Sequence, residues 1–358
     1  MVLAVKRSLL IGLTLALIVG PPSAVAAGKA KRVASFPVTF SVQNVDRTKL
    51  PCGVDGAAYQ IKGHLTGPRS ALARSSRRAK RAVTLYVHGL GFGEWFWHFT
   101  AVPGHSYALA QAKSGHVSLT FDRLGYDASG HPDGKKSCLG GQADIAHQLV
   151  QALRKGSYTV EGGKAVRFKK VALVGHSIGA EIAMLEAYSF RDIDALADAS
   201  FSYLNLPRAQ VALGPTRDSC LAGGQPAEPG TPSGYSYYGQ PSPADFQAIM
   251  FHSADKSLID AATPLRNLDP CGDIESIIPA LLQQRAFVPK IKVPVLVICG
   301  TDDALYSPLG CSMQADRFTG SRRVSNQIVR NAGHALTFER TAASFRRKVS
   351  RWLEKYGF

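Results

Sequence analysis

Apolar residues fall in short continuous runs, each stopped by a glycine or a polar residue. The run 83–87 ends in His88-Gly89, 116–121 in Asp122, 171–174 in Gly175, and 293–298 in Cys299-Gly300. Segments with helical spacing of apolar positions lie among them, at 138–155, 178–190 and 336–356. Runs that are apolar on both faces and alternate with helices predict a parallel sheet covered on both sides. Two earlier stretches, 36–45 and 59–66, are rich in β-branched and aromatic residues and predict strands ahead of this pattern. A further strand is predicted at 326–329, before a C-terminal helix. Between about Pro215 and Pro289 the rhythm is lost. Pro, Gly, Ser and Tyr crowd 222–240, and helical character returns afterwards. The expectation is a sheet domain built from 27–214 and 290–358, interrupted by a cap or lid at 215–289. No repeat of fixed period is visible.

The N-terminus reads differently. Lys6 and Arg7 precede an apolar stretch at 9–19, which breaks at Gly20-Pro21-Pro22 and is followed by Ala24-Val25-Ala26. A basic start, a short apolar segment and a small-residue site predict a signal peptide over 1–26, cleaved after Ala26. The stretch falls short of the roughly 20 apolar residues that cross a bilayer; the alternative is an uncleaved anchor. No Cys stands near the cleavage point to carry a lipid. A secreted or periplasmic location follows, and it changes how the six cysteines are read. An even number in an oxidising compartment points to disulfides. Six cysteines allow about 15 pairings, and no Cys/His spacing suits zinc. Cys299 either bonds Cys311 across the loop after its strand or is a buried, unpaired strand residue.

Composition narrows the class without naming it. With 45% hydrophobic and 19% charged residues and a mean hydropathy of −0.03, the chain is neither disordered, collagen-like nor a polytopic membrane protein. Lys and Arg outnumber Asp and Glu by 42 to 26, a net charge of +16. Loss of Lys6 and Arg7 with the leader lowers it to +14. A basic run at 69–81 reads as a solvated loop in preference to a polymer-binding patch. The excess charge is therefore assigned to the surface, where it favours peripheral association with an anionic cell envelope, and no nucleic-acid partner is expected.

Candidate chemistry lies at the carboxyl ends of the strands, where open α/β sheets bind ligands. The stretch 171–180 is a strand, then Gly175-His176-Ser177-Ile178-Gly179, then a helix-favouring run. In that context a G-x-S-x-G turn lifts a serine hydroxyl into a site and leaves the next amide at a helix N-terminus. Ser177 is the candidate nucleophile, and the Ile178 amide one oxyanion donor. Only His252 and His334 follow Ser177 in the chain. His252 falls in the expected cap, whereas His334 stands in a Gly-bearing loop after a strand, which makes it the candidate base. Two carboxylates, Asp302 and Asp303, end the strand before it. The loop His88-Gly89-Leu90-Gly91-Phe92-Gly93 can turn the Leu90 amide toward an oxyanion, and its spacing does not fit a dinucleotide site. Trp95, Phe96 and Trp97 are candidate substrate-pocket residues, with core packing as the alternative. His88 and His176 are read as residues that support the site or pack, and not as proton carriers.

The order of these motifs, with Asp122-Arg123-Leu124-Gly125-Tyr126-Asp127-Ala128-Ser129 between the first and second, resembles the α/β-hydrolase superfamily over roughly 83–358. The resemblance implies an α/β fold with a mostly parallel eight-stranded sheet flanked by helices, an inserted cap, and a Ser177–Asp303–His334 triad. Asp303 is preferred to Asp302 because the second Asp of Gly300-Thr301-Asp302-Asp303 resembles the usual acid position. Two residues depart from the pattern: Asp127, where Gly is common, and Glu181, where a small residue is usual. The activity implied is that of a serine hydrolase cleaving carboxylic esters of small molecules or lipids through an acyl-enzyme, with no metal or organic cofactor. A serine nucleophile argues against epoxide hydrolases and haloalkane dehalogenases. A lipase or acyltransferase, a peptidase on the same scaffold and a non-catalytic polymer-binding protein are the alternatives. Oligomeric state and the natural ester are left open.

Overall fold

The computed structural model describes residues 32–73 and 81–358. The expected leader at 1–26 and most of the basic run at 69–81 lie outside the described residues. The described chain enters as a long hairpin: β1 (Val33–Gln43) pairs antiparallel with β2 (Ala58–Pro68), and α1 (Arg69–Leu72) follows. Next come β3 (Ala82–Val87), α2 (Tyr107–Ser114), β4 (Ser118–Phe121), α3 (Leu139–Lys155), β5 (Thr159–Val160), β6 (Lys170–His176), α4 (Ile178–Phe190) and β7 (Ala195–Ala199). Between β7 and the next strand of the main sheet the chain builds α5 (Pro207–Leu221), β8 (Tyr235–Ser236), α6 (Pro243–Met250), α7 (Lys256–Ala262), β9 (Asp269–Pro270) and α8 (Cys271–Phe287). It ends with β10 (Val295–Gly300), α9 (Pro308–Ala315), β11 (Val324–Val329) and α10 (Ala342–Lys355).

Nine strands form one sheet in the order β11-β10-β7-β6-β3-β4-β2-β1-β5. The strands from β11 to β4 in that order run parallel, and β2, β1 and β5 add antiparallel pairs at one edge. The count is nine where eight were expected, because the two-residue β5 pairs with the outer edge of β1. Every residue of β3 and β10 is buried, as covered parallel strands require. In β1 burial alternates at Val38, Phe40 and Val42, so only one of its faces packs inward. β7 was not foreseen. Its sequence, Ala-Leu-Ala-Asp-Ala, has little strand propensity, yet it sits wholly buried between β6 and β10. The C-terminal helix starts at Ala342, later than the periodicity from 336 suggests.

α4 is buried on nearly every side, the mark of a helix enclosed by its own domain. Tyr86 of β3, Trp97, Tyr107 of α2 and Phe345 of α10 stack into one aromatic cluster, with ring centroids 4.9 to 6.4 Å apart. Each such side chain, fully buried, contributes about 1.5–3 kcal/mol. All six cysteines pair. Cys52–Cys138 ties the loop after β1 to the start of α3, Cys220–Cys271 joins α5 to α8, and Cys299–Cys311 joins β10 to α9. Cys299 is therefore not an unpaired strand residue. Among the described residues, no helix is long and apolar enough to cross a membrane.

Candidate active site

Ser177 sits at the sharp turn between β6 and α4, with φ 55° and ψ −128°. That backbone geometry is rare outside glycine and stores strain. It holds because both sides of the turn are fastened: the Ser177 amide donates to the Ala199 carbonyl at 2.9 Å, and its carbonyl accepts from the Ala180 amide at 2.8 Å. Strand and helix then cross so closely that a Cβ on Gly175 would lie 2.2 Å from the Gly179 carbonyl oxygen. The glycine is a packing requirement, and it aims the serine away from the sheet.

His334 follows β11 and is buried. Its Nδ1 lies 2.9 Å from Asp303 Oδ2 and 3.1 Å from Oδ1. With the carboxylate accepting the Nδ1 proton, Nε2 is the nitrogen left to accept one. Asp303 is itself fixed, since its Oδ1 accepts from the amides of Leu305 at 2.8 Å and Tyr306 at 3.2 Å. Asp302 points elsewhere: its side chain is 40% exposed and stands 3.7 Å from His252, and Thr301 Oγ1 donates to it at 2.6 Å. The two loops meet because Gly300 lets β10 end against Ala332; a Cβ there would lie 2.1 Å from the Ala332 carbonyl oxygen. His176 packs behind His334. Its Nε2 donates to the His334 carbonyl at 2.9 Å, its ring stacks on Phe96 at 4.1 Å, and burial, followed by the nearby His334, pushes its pKa well down. It is a neutral positioning group.

Leu90 and Ile178 both border the cavity into which Ser177 and His334 open. The loop carrying Leu90 is held from an unexpected direction. Gly91 donates its amide to Asp269 Oδ1 at 2.7 Å, and its carbonyl accepts from the Asn267 amide at 3.1 Å. Asp269 also accepts from Tyr126 Oη at 2.9 Å, which in turn accepts from Arg123 at 2.6 Å. Arg123 pairs with Asp273 of α8 at 2.6 Å, both fully buried. Burial pushes the Asp269 carboxyl up to about 7, against the opposing pull of the Gly91 amide. His88 closes the network: its Nε2 accepts from the Arg123 amide at 3.1 Å and its Nδ1 donates to the Gly89 carbonyl at 2.9 Å. Burial, and then the Arg123 charge, push its pKa well down. Asp127, the departure noted in the sequence, adopts φ 40° and accepts from Asn267 Nδ2 at 2.8 Å. Sequence reasoning missed Asp269 and Asp273 altogether, because they meet Gly91 and Arg123 across 178 and 150 residues.

The cavity wall is mostly apolar, built from Phe201, Leu213, Tyr238, Met250, Ile277 and Tyr306. Leu213 belongs to α5 and Ile277 to α8, so elements between β7 and β10 supply part of it. Trp95, Phe96 and Trp97 do not line it. Trp97 and Phe96 are buried in the aromatic core, and Trp95 packs on Phe92, Phe99 and Phe338. The substrate-pocket expectation for these three is corrected. The 3-10 turn at Glu94–Phe96 sets Trp95 and Phe96 against Phe92 and Phe338, and Trp97 just after it packs on Tyr86 of β3 and Phe345 of α10.

A doubly covered parallel sheet with a serine on a strand-to-helix turn and a histidine–aspartate pair beyond the last strands defines a class of hydrolytic scaffold. Residues 85–347 match the Alpha/beta hydrolase family, and the chain belongs to that family. No curated protein matches it. Among solved structures it is similar to a thermophilic esterase from Thermogutta terrifontis, at 16% identity and a TM-score of 0.59, covering 89% of this chain and 100% of that one. A soluble variant of monoglyceride lipase from Saccharomyces cerevisiae aligns at 14% identity and a TM-score of 0.59, covering 87% and 96%. A monoacylglycerol lipase from Paleococcus ferrophilus aligns at 17% and 0.55, covering 77% and 95%. At such identities the likeness is one of fold.

Proposed function

We propose that the chain is an exported serine hydrolase that cleaves carboxylic esters, with Ser177 as nucleophile, His334 as base and Asp303 as its orienting acid. His334 Nε2 takes the Ser177 hydroxyl proton as Oγ attacks the ester carbonyl. The Leu90 and Ile178 amides hold the resulting oxyanion. The tetrahedral intermediate collapses to an acyl-enzyme as His334 returns the proton to the leaving alcohol. Water, deprotonated by His334, then releases the acid and restores Ser177. Asp303 keeps the imidazole in the tautomer this requires and stabilises its positive charge.

The observation that carries the reading is the Asp303–His334 pair at 2.9 Å, opening on the same cavity as a serine held at φ 55°. Apolar walls favour an acyl chain over a peptide, and lipid esters over small polar ones. That supports a lipase or lipid acyltransferase as the second reading. We read 215–289 as a cap that completes the wall, and export rests on the leader at 1–26 together with three disulfides. No nucleic-acid role is proposed; a basic surface suits loose association with an anionic envelope.

A panel of p-nitrophenyl esters from acetate to palmitate, with and without an acceptor alcohol, tests the proposal together with fluorophosphonate labelling. The expected result is turnover and labelling in the wild type and neither in Ser177→Ala. Equal labelling of that variant would sink the reading. A new ester formed with the acceptor would move it to acyl transfer.

A further inference from the structure

We infer that His147, Glu186 and Asp192 form a binding site for one divalent transition cation of the zinc type, away from the cavity that holds Ser177. His147 lies on α3, Glu186 on α4 and Asp192 just beyond it. One ligand atom from each lies within 4.8 Å of the others. His147 Nδ1 and Asp192 Oδ2 approach to 2.9 Å, yet Nδ1 makes no hydrogen bond. The two are close without the alignment that a shared proton would give.

Glu186 is the decisive member. It is 0% exposed, and among the described residues no N–H or hydroxyl group donates to either of its carboxylate oxygens, which face the Asp192 carboxyl instead. Asp192 Oδ1 lacks one as well. Buried carboxylates left unmet are costly and uncommon. A single cation satisfies the imidazole and both carboxylates at once. The candidate ligands are already supported from outside, which is how metal ligands are normally oriented. Gln151 donates to Asp192 Oδ2, and the His147 ring stacks flat on Phe190, with centroids 3.9 Å apart and planes 11° apart. His147 and Asp192 also border a surface groove, so a cation has an entry path and water has room to complete the coordination.

The donor set selects the metal. One imidazole nitrogen with two carboxylate oxygens suits zinc, which takes such ligands at about 2.0–2.2 Å and fills a fourth position with water. Calcium prefers oxygen ligands alone, about six to eight of them, and manganese binds more weakly than zinc at a nitrogen-containing site. Bound there, the ion would clamp α3 to the end of α4 and stabilise the folded chain by mass action. The inference does not depend on the proposed ester chemistry, and its test uses no substrate.

The full chain, stripped with EDTA and dialysed, is titrated with Zn²⁺ in a calorimeter, and thermal unfolding is followed across the same range, with Ca²⁺ and Mn²⁺ as comparators. One zinc per chain is expected, with a Tm that climbs with zinc, is reversed by EDTA and does not respond to the same concentration of Ca²⁺. Glu186→Gln and His147→Gln keep side-chain size and remove a ligand. Each should weaken binding by about 100-fold and abolish the zinc-dependent rise in Tm. Two variants are used so that a folding defect in one leaves the other to decide. Absence of stoichiometric zinc binding to the wild type would overturn the site and leave a carboxyl pair sharing a proton. So would equally tight binding by both variants, which would place the ion on other histidines.

Discussion

Two histidine–aspartate pairs in this molecule have the same separation and opposite surroundings. His334 Nδ1 and Asp303 Oδ2 lie 2.9 Å apart, as do His147 Nδ1 and Asp192 Oδ2. In the first, a hydrogen bond joins the pair, two backbone amides meet the remaining carboxylate capacity, and His176 grips the imidazole residue by its carbonyl. In the second, the pair lacks the hydrogen bond, and an adjacent buried glutamate has no N–H or hydroxyl donor on either oxygen and faces the Asp192 carboxyl. Distance alone therefore assigns no role. A fully satisfied pair is a rigid tool that presents one nitrogen to a reactant; an unsatisfied one, with a third ligand beside it, has the makings of a receptor.

The largest effect that separates the two belongs to Ser177→Ala. Ester turnover should fall about 10⁴- to 10⁶-fold, with zinc binding unchanged. Asp303→Asn comes next: it keeps the shape and loses the tautomer control, and kcat should drop about 10⁴-fold. Asp302→Asn and Asp192→Asn should leave kcat/KM within a few-fold of wild type. A loss with Asp302→Asn as deep as with Asp303→Asn would reverse the assignment of the acid. Smaller again is the disulfide beside the acid. Replacing Cys299 and Cys311 together by serine should destabilise the chain by about 2–4 kcal/mol, seen as a lower urea midpoint. It should also cost more activity than the same change at Cys52 and Cys138, which lie outside the site. Equal activity loss for the two double variants would mean that the Cys299–Cys311 link does not position Asp303.

The difference between the two pairs also marks what a sequence can carry. Ser177, Asp303 and His334 stood out as candidates because each follows a strand of the main sheet and is set off by glycines, so punctuation and position coincide. β3, β6 and β10 were legible for the same reason, as unbroken apolar runs. β7 was not, because burial between two strands overrides the weak propensity of an alanine-rich segment. The rings of Trp95, Phe96 and Trp97 could be counted but not aimed, since the turn that directs them inward has no sequence mark. Asp269 and Asp273 were invisible as partners of Gly91 and Arg123, because only the folded chain brings them together. The same holds for His147, Glu186 and Asp192, which a search for Cys/His spacing passes over.

A third kind of buried carboxyl yields the effect with a definite sign in pH. Glu181, the departure after Gly179-Ala180, is buried in the first turn of α4 and accepts from Gln284 through one oxygen, while the other has no partner among the described residues. Burial pushes its carboxyl up to about 8 from an ordinary value of 4.5. Asp122 is likewise pushed up, to about 8, first by burial and then by the Asp127 charge. A raised carboxyl holds its proton more tightly in the folded chain than in the unfolded one. Its contribution is full below the unfolded value, and it is lost as pH rises through the folded value. Above about pH 6.5, where the buried neutral His88 and His176 no longer oppose them, these carboxyls should make the urea midpoint fall toward about pH 8.5, the reverse of a chain held by salt-bridged carboxylates. Glu181→Gln is neutral throughout and keeps the shape, so it should flatten that decline by about 1.4 kcal/mol per pH unit where only the folded state is protonated. A slope identical to wild type would mean that the Glu181 carboxyl is not held neutral by its burial.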